Sequence, residues 1–248
     1  MKYLLTLCLA FMALWATAQN STDTRVFEMR IYYAEPGKLD ALVTRFQKHT
    51  RKLFKKHGME NIGYWLPIHN DDNRLIYVLA YPDMAARDKS WQAFGEDPKW
   101  KKVKSKSEVN GKLVQKVESI FMNATDYSPL ITPSSNGERV FELRIYTASP
   151  EKLPNLNERF RAHTMKLFAK HGATNLAYWT TIEKEASVQS KLYYILAHPS
   201  EAGGAKMFEQ FVNDPEWKRV KAESEKNGPI IDKIESVYMR ALSFSPIK

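Results

Sequence analysis

Arg25-Val-Phe-Glu-Met-Arg-Ile-Tyr32 recurs as Arg139-Val-Phe-Glu-Leu-Arg-Ile-Tyr146, with only one residue changed. His49-Thr50, Lys56-His57-Gly58 and Tyr64-Trp65 recur at the same offset of 114 residues (139 minus 25), and the offset becomes 117 from Leu79 onward. Self-similarity at a nearly fixed spacing is the signature of a repeated structural unit. The chain therefore contains two copies of one unit.

Composition and the duplication together predict the domain organisation. The chain has 248 residues, of which 44% are apolar and 26% charged, so disordered, collagen-like and disulfide-scaffold classes are excluded. We expect a first domain at 25–124 and a second at 139–241. The segment 125–138 between them is rich in Pro, Ser, Asn and Gly, which is typical of a linker.

The N-terminus has the three parts of a secretory signal peptide. A basic Met1-Lys2 precedes an apolar run over 3–15, and Ala16-Thr-Ala18 follows as a small-residue cleavage site. The alternative of a retained anchor is disfavoured because a membrane span needs roughly 20 apolar residues. We therefore expect residues 1–18 to be removed and the mature protein to reach the periplasm or the cell exterior. The sole cysteine, Cys8, is lost with them, which excludes disulfides and thiolate chemistry.

Hydrophobic periodicity predicts the elements of one unit. Residues 26–33 alternate as a strand does, and apolar residues then recur every three or four positions up to His57-Gly58, as in an amphipathic helix. Residues 61–68 and 74–81 indicate a hairpin. Two short helices follow, the second with Asp97 as N-cap, and a last strand covers 114–122.

The predicted order β-α-β-β-α-β is the ferredoxin-like unit, an α+β fold whose helices cover one face of the sheet. The other face has to be buried. Two copies in one chain achieve this by packing sheet to sheet, which predicts an intramolecular α/β barrel with pseudo-two-fold symmetry. Further oligomerisation is left open.

These motifs resemble the NIPSNAP family, within the larger dimeric α/β-barrel group. The resemblance rests on the first strand Phe27-Glu-Met-Arg-Ile-Tyr32, on His57-Gly58 before Gly63-Tyr-Trp65, and on Asp97-Pro-Lys-Trp100, each present in both copies. It implies a ferredoxin-like barrel. The better-known eukaryotic members are mitochondrial proteins linked to vesicle traffic and mitophagy signalling, a role that a secretory signal does not allow. The wider group includes cofactor-free monooxygenases, haem-handling proteins and isomerases.

The alternation of the first strand yields the first candidate site. If Phe27, Met29 and Ile31 pack under the helices, the polar residues between them point into the barrel. Those residues are Glu28, Arg30 and Tyr32 in the first copy and Glu142, Arg144 and Tyr146 in the second. They would form a polar floor that binds an anionic or carbonyl group. In the alternative, Glu and Arg pair with each other and with Glu118 or Glu235 to fix the interface between the copies.

Histidines and aromatic residues provide further candidates. His49 and His163 lie on the apolar stripe of the first helix, so each is expected to face the sheet, as a general base or as a core histidine. Tyr64 and Tyr178 would line an aromatic cavity or belong to the core. His57 is explained by helix capping. Because the mature chain has no HExxH motif, no cysteine and no histidine cluster, no metal is predicted, and no cofactor is predicted either.

The one dense basic run, Lys99-Trp-Lys-Lys-Val-Lys-Ser-Lys106, is interpreted as the solvated side of a helix. Weak attraction to anionic glycans or lipid head groups is its functional alternative. Nucleic acid is not expected as a partner, since glutamates at 216, 223 and 225 interrupt the run in the second copy.

The sequence leaves two hypotheses about function. The first is a secreted binding or interaction module that holds a small organic ligand or a protein partner. The second is a cofactor-independent monooxygenase or isomerase acting on an aromatic or carbonyl compound in the barrel cavity. In that enzyme, His49 or His163 would be the base and Arg30 or Arg144 would stabilise negative charge. Tyr32 or Tyr146 would orient the substrate. An open cavity next to His49 favours the enzyme, and a filled barrel favours the module.

Overall fold

The computed structural model describes residues 22–135, 137–182 and 189–248. The predicted signal peptide at 1–18 lies outside these described residues. The first copy folds as four neighbouring strands of one sheet and the helices that connect them. Its elements are β1 (Val26–Ala34), α1 (Leu39–Arg45), a π-helical turn (Phe46–Thr50), α2 (Arg51–Lys56), β2 (Glu60–Pro67), β3 (Arg74–Tyr81), α3 (Met84–Glu96), α4 (Pro98–Ser107) and β4 (Val114–Ala124).

The second copy repeats this order element for element. Its elements are β5 (Val140–Ala148), α5 (Leu153–Arg159), a second π-helical turn (Phe160–Thr164), α6 (Met165–Lys170), β6 (Thr174–Thr181), β7 (Lys191–His198), α7 (Glu201–Asn213), α8 (Pro215–Ser224) and β8 (Ile231–Ala241). The predicted β-α-β-β-α-β order is therefore present twice.

The eight strands form one closed antiparallel barrel in the order β1-β3-β2-β8-β5-β7-β6-β4. Each copy contributes four consecutive strands. The copies join where β2 pairs with β8, from Trp65 opposite Ala241, and where β4 pairs with β6, from Met122 opposite Thr181. Closure removes the sheet edges, so each copy completes the other. The predicted intramolecular pseudo-dimeric barrel is confirmed.

Apolar side chains from both copies fill the barrel. Phe27 packs against Trp179 with ring centroids 5.6 Å apart, and Trp65 packs against Phe141 at 5.9 Å. Met29 lies in the same cluster and is fully buried. The interior of an eight-stranded barrel is just wide enough for side chains to fill it. The space in which the sequence placed a cavity is therefore a packed core.

The predicted facing of β1 was wrong. Phe27, Met29 and Ile31 point into the barrel, whereas Glu28 and Arg30 point outward to the helices. Strand alternation separates the two faces but does not say which one is inside. Apolar side chains fill the barrel because both sheets bury that surface, while α3 supplies Arg and Trp donors and β3 a Tyr donor for a buried carboxylate.

The first helix of each copy is continuous but contains a π-helical turn that periodicity did not predict. In the first copy, the Thr50 hydroxyl donates to the carbonyl of Arg45, five residues earlier, at 3.3 Å. Thr164 donates to Arg159 in the same way at 3.1 Å. The wider turn shifts the residues after it around the helix axis relative to a 3.6-residue repeat. Among the described residues, no helix is long and apolar enough to cross a membrane.

Candidate functional site

The outward face of β1 carries a cluster of charged and aromatic residues around Glu28, which is fully buried. Arg87, from α3, donates twice, from Nε at 3.1 Å and from Nη2 at 2.9 Å. Arg30 Nη1 donates to the same carboxylate at 2.5 Å. The Tyr81 hydroxyl and the Trp91 indole N–H each donate to it at 3.0 Å. Five donor groups therefore satisfy one buried carboxylate.

The ionisation of Glu28 follows from these contacts. Burial alone would raise the pKa of this carboxyl, but the hydrogen bonds from Arg87 and the charge of Arg30 outweigh burial and hold the pKa below its usual value. Burial beside this negative charge raises the pKa of the Tyr81 phenol. Glu28 is therefore an anion that holds two arginines against the sheet.

Arg30 is fixed as well. Its guanidinium lies over the Trp91 ring at 4.3 Å, and Nη1 also donates to the Ser119 hydroxyl at 2.7 Å. The Arg30 side chain is 12% exposed. Its fixed position under α3 indicates that the cluster joins the helix to the sheet.

The second copy carries a different cluster at the same place. Glu142 accepts hydrogen bonds from Arg144 Nη1 at 2.7 Å and from the Ser236 hydroxyl at 2.6 Å. It also contacts His198 Nε2 at 2.9 Å. Gly204 occupies the position equivalent to Arg87, and a Cβ there would lie 2.8 Å from the Tyr238 hydroxyl oxygen. The second copy has thus lost one arginine, and Tyr238 fills the space.

The predicted polar floor in the barrel is therefore replaced by two separate clusters, one under the helices of each copy. The alternative that Glu28 pairs with Arg30 and Glu142 with Arg144 is confirmed. The further pairing with Glu118 or Glu235 is wrong. These glutamates pair with lysines on their own strands, at 2.5 Å from Lys116 and 2.9 Å from Lys233.

Tyr32, Tyr64 and their counterparts Tyr146 and Tyr178 belong to the layer between sheet and helices. Tyr64 is fully buried, stacks on Tyr77 at 5.5 Å and donates to Asn61. Tyr178 is fully buried too, and stacks on Tyr194 at 5.2 Å. The core alternative therefore describes Tyr64 and Tyr178 in this structure.

His49 and His163 do not face the sheet, contrary to the prediction. Each lies half-buried on a π-helical turn and lines a groove on the outside of the helical layer. The wider turn rotates the following residues around the helix axis. Thr50, and not His49, is therefore the next buried residue after Phe46. Two grooves that the sequence did not predict therefore contain the candidate histidines.

His57 and His171 end α2 and α6 as their C-cap residues, as expected of His57, and their side chains contact the N-cap aspartates of α4 and α8. Asp97, the N-cap of α4, contacts His57 Nε2 at 2.7 Å, accepts from Lys56 Nζ at 2.6 Å and accepts from the Lys99 amide at 2.7 Å. The equivalent Asp214 contacts His171 at 2.8 Å. Across 22–135, 137–182 and 189–248, no three His, Cys, Asp or Glu residues are grouped so that they could hold a metal ion.

The groove of the first copy, hereafter groove 1, lies between α4 and the first helix, and has a volume of about 760 Å³. Its floor contains Arg45, which is 5% exposed. Arg45 donates to Glu108 at 2.8 Å and to Ser107 at 3.2 Å, with its guanidinium 5.2 Å from the Trp100 ring. An ion pair between a buried arginine and a half-buried glutamate, with the guanidinium over an aromatic ring, thus joins the two helices.

The rim of groove 1 is cationic. Lys48 stands on the π-helical turn, and Lys99, Lys102 and Lys106 follow one another along α4. All four are exposed, and in the part of the chain that the structure describes none of their ammonium groups meets a carboxylate. Asp40 is the acidic residue among those that line the groove. Groove 1 therefore presents uncompensated positive charge above a rigid floor.

The second copy has a groove on the same framework, hereafter groove 2. Arg159 donates to Glu225 at 2.7 Å and to Ser224 at 3.2 Å, and lies 5.1 Å from the Trp217 ring. The volume of groove 2 is about 210 Å³. Its rim differs at the positions equivalent to Thr44, Lys48, Lys99, Lys102 and Lys106. These positions hold Glu158, Ala162, Glu216, Arg219 and Glu223.

The sequence profile of the NIPSNAP family matches residues 27–129 and again residues 141–246, which together make up most of the chain. The chain belongs to the NIPSNAP family. Human Protein NipSnap homolog 3A is 26% identical over 165 residues, which cover 66% of this chain and 62% of that protein. The chain thus spans less than two thirds of that NIPSNAP relative.

Solved structures support the barrel. A protein from Fusobacterium nucleatum, provisionally named a monooxygenase, superposes with a TM-score of 0.59 at 10% identity and covers 89% of this chain and 93% of its own. A similarly named protein from Lactobacillus acidophilus gives 0.54 at 11% identity, covering 88% and 94%. At such identity the likeness shows the fold alone, which is the dimeric α/β barrel in a single chain.

Sequence reasoning missed the residues that complete both sites of the first NIPSNAP copy. Arg87 and Trp91 around Glu28 lie far from it in sequence, and Gly204 stands at the position equivalent to Arg87. Lys48 was missed, although Ala162 stands at its equivalent position. A position-by-position comparison of the two copies would have found it.

Proposed function

We propose that this NIPSNAP protein is a binding module for a small organic ligand, and that groove 1 is its ligand site. The observation that carries the proposal is the contrast in volume between two grooves built on one framework, about 760 Å³ against about 210 Å³. Small-molecule sites occupy roughly 300–1,000 Å³, so groove 1 has room for such a ligand and groove 2 does not. An open hollow of about 730 Å³ beside Lys170 and Asp214 has room as well, but it lies outside the framework that the two grooves share.

The shared framework supports this proposal. Arg45 with Glu108 and Arg159 with Glu225 form the same pair of a buried arginine and a half-buried glutamate, at 2.8 Å and 2.7 Å. Those contacts account for the packing of the helices in both copies. The larger opening of groove 1 is not needed for that packing, so a ligand is the role we assign to it.

In this proposal the second copy has a structural role. β8 and β6 supply the partners that β2 and β4 need for the barrel to close. Export to the periplasm or the cell exterior is part of the proposal. It rests on the sequence pattern of residues 1–18.

The test is to block groove 1 without changing its charge. Ala41 is exposed and lines groove 1, and Asn155 is exposed and lines groove 2 at the equivalent position. The protein and its Ala41→Trp and Asn155→Trp variants are purified from the native host and compared by native and denaturing mass spectrometry. We expect a co-purified small molecule on the protein and on Asn155→Trp that is absent from Ala41→Trp. Equal retention by Ala41→Trp would refute the proposed site.

The alternative is a cofactor-independent monooxygenase or isomerase that binds its substrate inside the barrel. The barrel interior offers no cavity for this substrate, because Phe27, Trp65 and their partners fill it. The fold likeness to an anthrone oxidase-like protein, with a TM-score of 0.57 at 8% identity, supports a specific assay. Conversion of anthrone and dioxygen to anthraquinone and water is followed by oxygen uptake. We expect no uptake above the uncatalysed rate, and turnover lost on Arg30→Ala would favour the enzyme.

A further inference from the structure

We infer that the ligand of groove 1 is an organic phosphate, or an equivalent group with at least two negative charges, carried on an apolar body. This inference rests on the proposed binding function and adds the chemical class of the ligand. It is drawn from the charges, the donor type and the lining of groove 1.

Charge is the first step. Five cationic side chains and one anionic side chain line groove 1, whereas groove 2 is lined by two of each. Arg45 is already neutralised by Glu108, which leaves the four rim lysines against Asp40. Concentrated positive charge over low-dielectric walls attracts anions and disfavours cationic ligands.

The position of Asp40 shows where the anion would bind. Lys38 donates to the carbonyl of Asn110 at 3.2 Å while Arg45 reaches Ser107 and Glu108, so the first helix and α4 run antiparallel. Asp40 at the start of α1 is therefore on the side of Lys106. The opposite end, with Lys48, Lys99 and Lys102, has no acidic lining residue.

The donor type is the second step. An ammonium group is a compact point charge with three donors, so lysines select a ligand by its charge, whereas the planar fork of arginine matches the geometry of carboxylates and phosphates alike. The guanidinium in groove 1 belongs to Arg45 and is held by Glu108 and Ser107. The free donors are lysines, so a group with two or more negative charges matches them best.

The lining is the third step. Ala41 and Val103 lie between the lysines, and the lysine stems add further methylene surface. Lys99 and Lys106 are seven residues apart on α4, which places them about 10 Å apart along the helix axis. A ligand that lies along the groove therefore contacts both charged and apolar surface. An amphiphile matches such a lining.

The test uses decyl phosphate, decanoate and decyl glucoside, which share the alkyl chain and differ in charge. Each is titrated calorimetrically into the full protein below its critical micelle concentration. We expect decyl phosphate to bind about tenfold more tightly than decanoate, and the neutral glucoside more weakly still. Added salt weakens the binding of decyl phosphate because screening shortens the reach of exposed charges.

A reciprocal exchange between the copies supplies the matched control. Lys99→Glu/Lys106→Glu gives groove 1 the residues of groove 2, and Glu216→Lys/Glu223→Lys does the reverse; all four side chains are exposed. We expect the first pair to weaken decyl phosphate binding at least about tenfold, since two attractions become repulsions, and the second pair to leave it unchanged or strengthen it. Unfolding curves of both variants confirm that they fold.

The outcomes separate this inference from the proposed function. In one outcome all three probes bind, Ala41→Trp abolishes their binding and Lys99→Glu/Lys106→Glu does not. That outcome would overturn the charge argument and leave the ligand site in place. No binding of decyl phosphate would overturn the inference, while the co-purification experiment still tests the site. Vesicles that contain phosphatidic acid, whose head group is a phosphate monoester able to carry two negative charges, distinguish the source. Co-sedimentation lost on the lysine exchange assigns the phosphate to a lipid head group, and decyl phosphate binding without co-sedimentation assigns it to a free amphiphile.

Discussion

Groove 1 carries Lys48, Lys99 and Lys106 on its rim, whereas groove 2 has Ala162, Glu216 and Glu223 at the equivalent positions. Beneath these rims the two copies are alike. Each has a buried arginine paired with a glutamate and lying about 5 Å from a tryptophan ring.

This difference shows which parts of a duplicated fold can change. Removing the glutamate would leave a buried arginine without its counter-charge, so the framework under both grooves is constrained. Exposed substitutions usually change stability by less than about 0.5 kcal/mol, so the rims are free to diverge. Rim residues are therefore where a function specific to one copy would be found.

The clusters around Glu28 and Glu142 differ in a second way, by coordinated changes inside the protein. Arg87 and Phe121 in the first copy correspond to Gly204 and Tyr238 in the second. The Tyr238 side chain stands where a Cβ on residue 204 would be. A buried site thus changes several residues together, because the carboxylate must keep enough donors.

The largest expected effect comes from neutralising the two buried carboxylates. Glu28→Gln leaves Arg30 without a counter-charge and Arg87 with the exposed Asp88 alone, and we expect the free energy of unfolding to fall by about 3–5 kcal/mol. Glu142→Gln affects one arginine and should cost about 1–3 kcal/mol. Urea denaturation of both variants measures the difference. Equal losses would show that Arg87 adds nothing to the first cluster.

A smaller effect is expected from Gly204→Ala. The new Cβ would lie 2.8 Å from the Tyr238 hydroxyl oxygen and 3.0 Å from His198, so the buried cluster has to shift. We expect a loss of about 1–3 kcal/mol, as for other overpacked sites.

Gly95→Ala on α3 is the matched control for Gly204→Ala. A Cβ on Gly95 meets no atom within 4 Å. This control should raise the free energy of unfolding by about 0.5–1 kcal/mol, because glycine is a poor helix former. Thermal unfolding of both variants measures the two effects. If Gly204→Ala raised the stability of the protein, this result would contradict the packing described for Tyr238.

The smallest difference between the copies is expected in their acid response. Hydrogen bonds from Lys56 and His57 hold the pKa of Asp97 well below its usual range, and Lys170 and His171 do the same for the pKa of Asp214. With the folded pKa depressed, the unfolded chain binds more protons below about pH 4, so stability from these groups is present above that pH and is lost as pH falls.

Asp97→Asn and Asp214→Asn should therefore flatten the acid branch of stability against pH by equal amounts. Unfolding free energies measured through that pH range provide the comparison. A clear inequality between the two variants would show that this part of the framework has diverged as well.

The fold could be predicted from the sequence because its signals are local and occur twice. Strand alternation, the Asp97 cap and the duplicated motifs together predict two ferredoxin-like units, and the bare sheet faces then require a barrel. The family profile and the closed eight-stranded sheet confirm this.

The candidate site could be predicted only in part, because facing and contact depend on the assembled molecule. Alternation separates Glu28 from Met29 but does not say which of them is inside. The π-helical turn at His49 adds one residue to a turn, so the residues after it lie on a different face of the helix. A pattern based on 3.6 residues per turn does not show this change. Arg87 and Lys48 are brought to their sites by the packing of helices on the sheet and on each other, which local sequence patterns do not describe.

The central claim is that the ligand site is groove 1 alone. Its most direct test is the rate of acetylation of each lysine in the full protein, measured by mass spectrometry with and without decyl phosphate. We predict protection of Lys48, Lys99, Lys102 and Lys106, with Lys218 and Lys221 on α8 unchanged. Equal protection on α8, or no protection along groove 1 at saturating decyl phosphate, would contradict the claim.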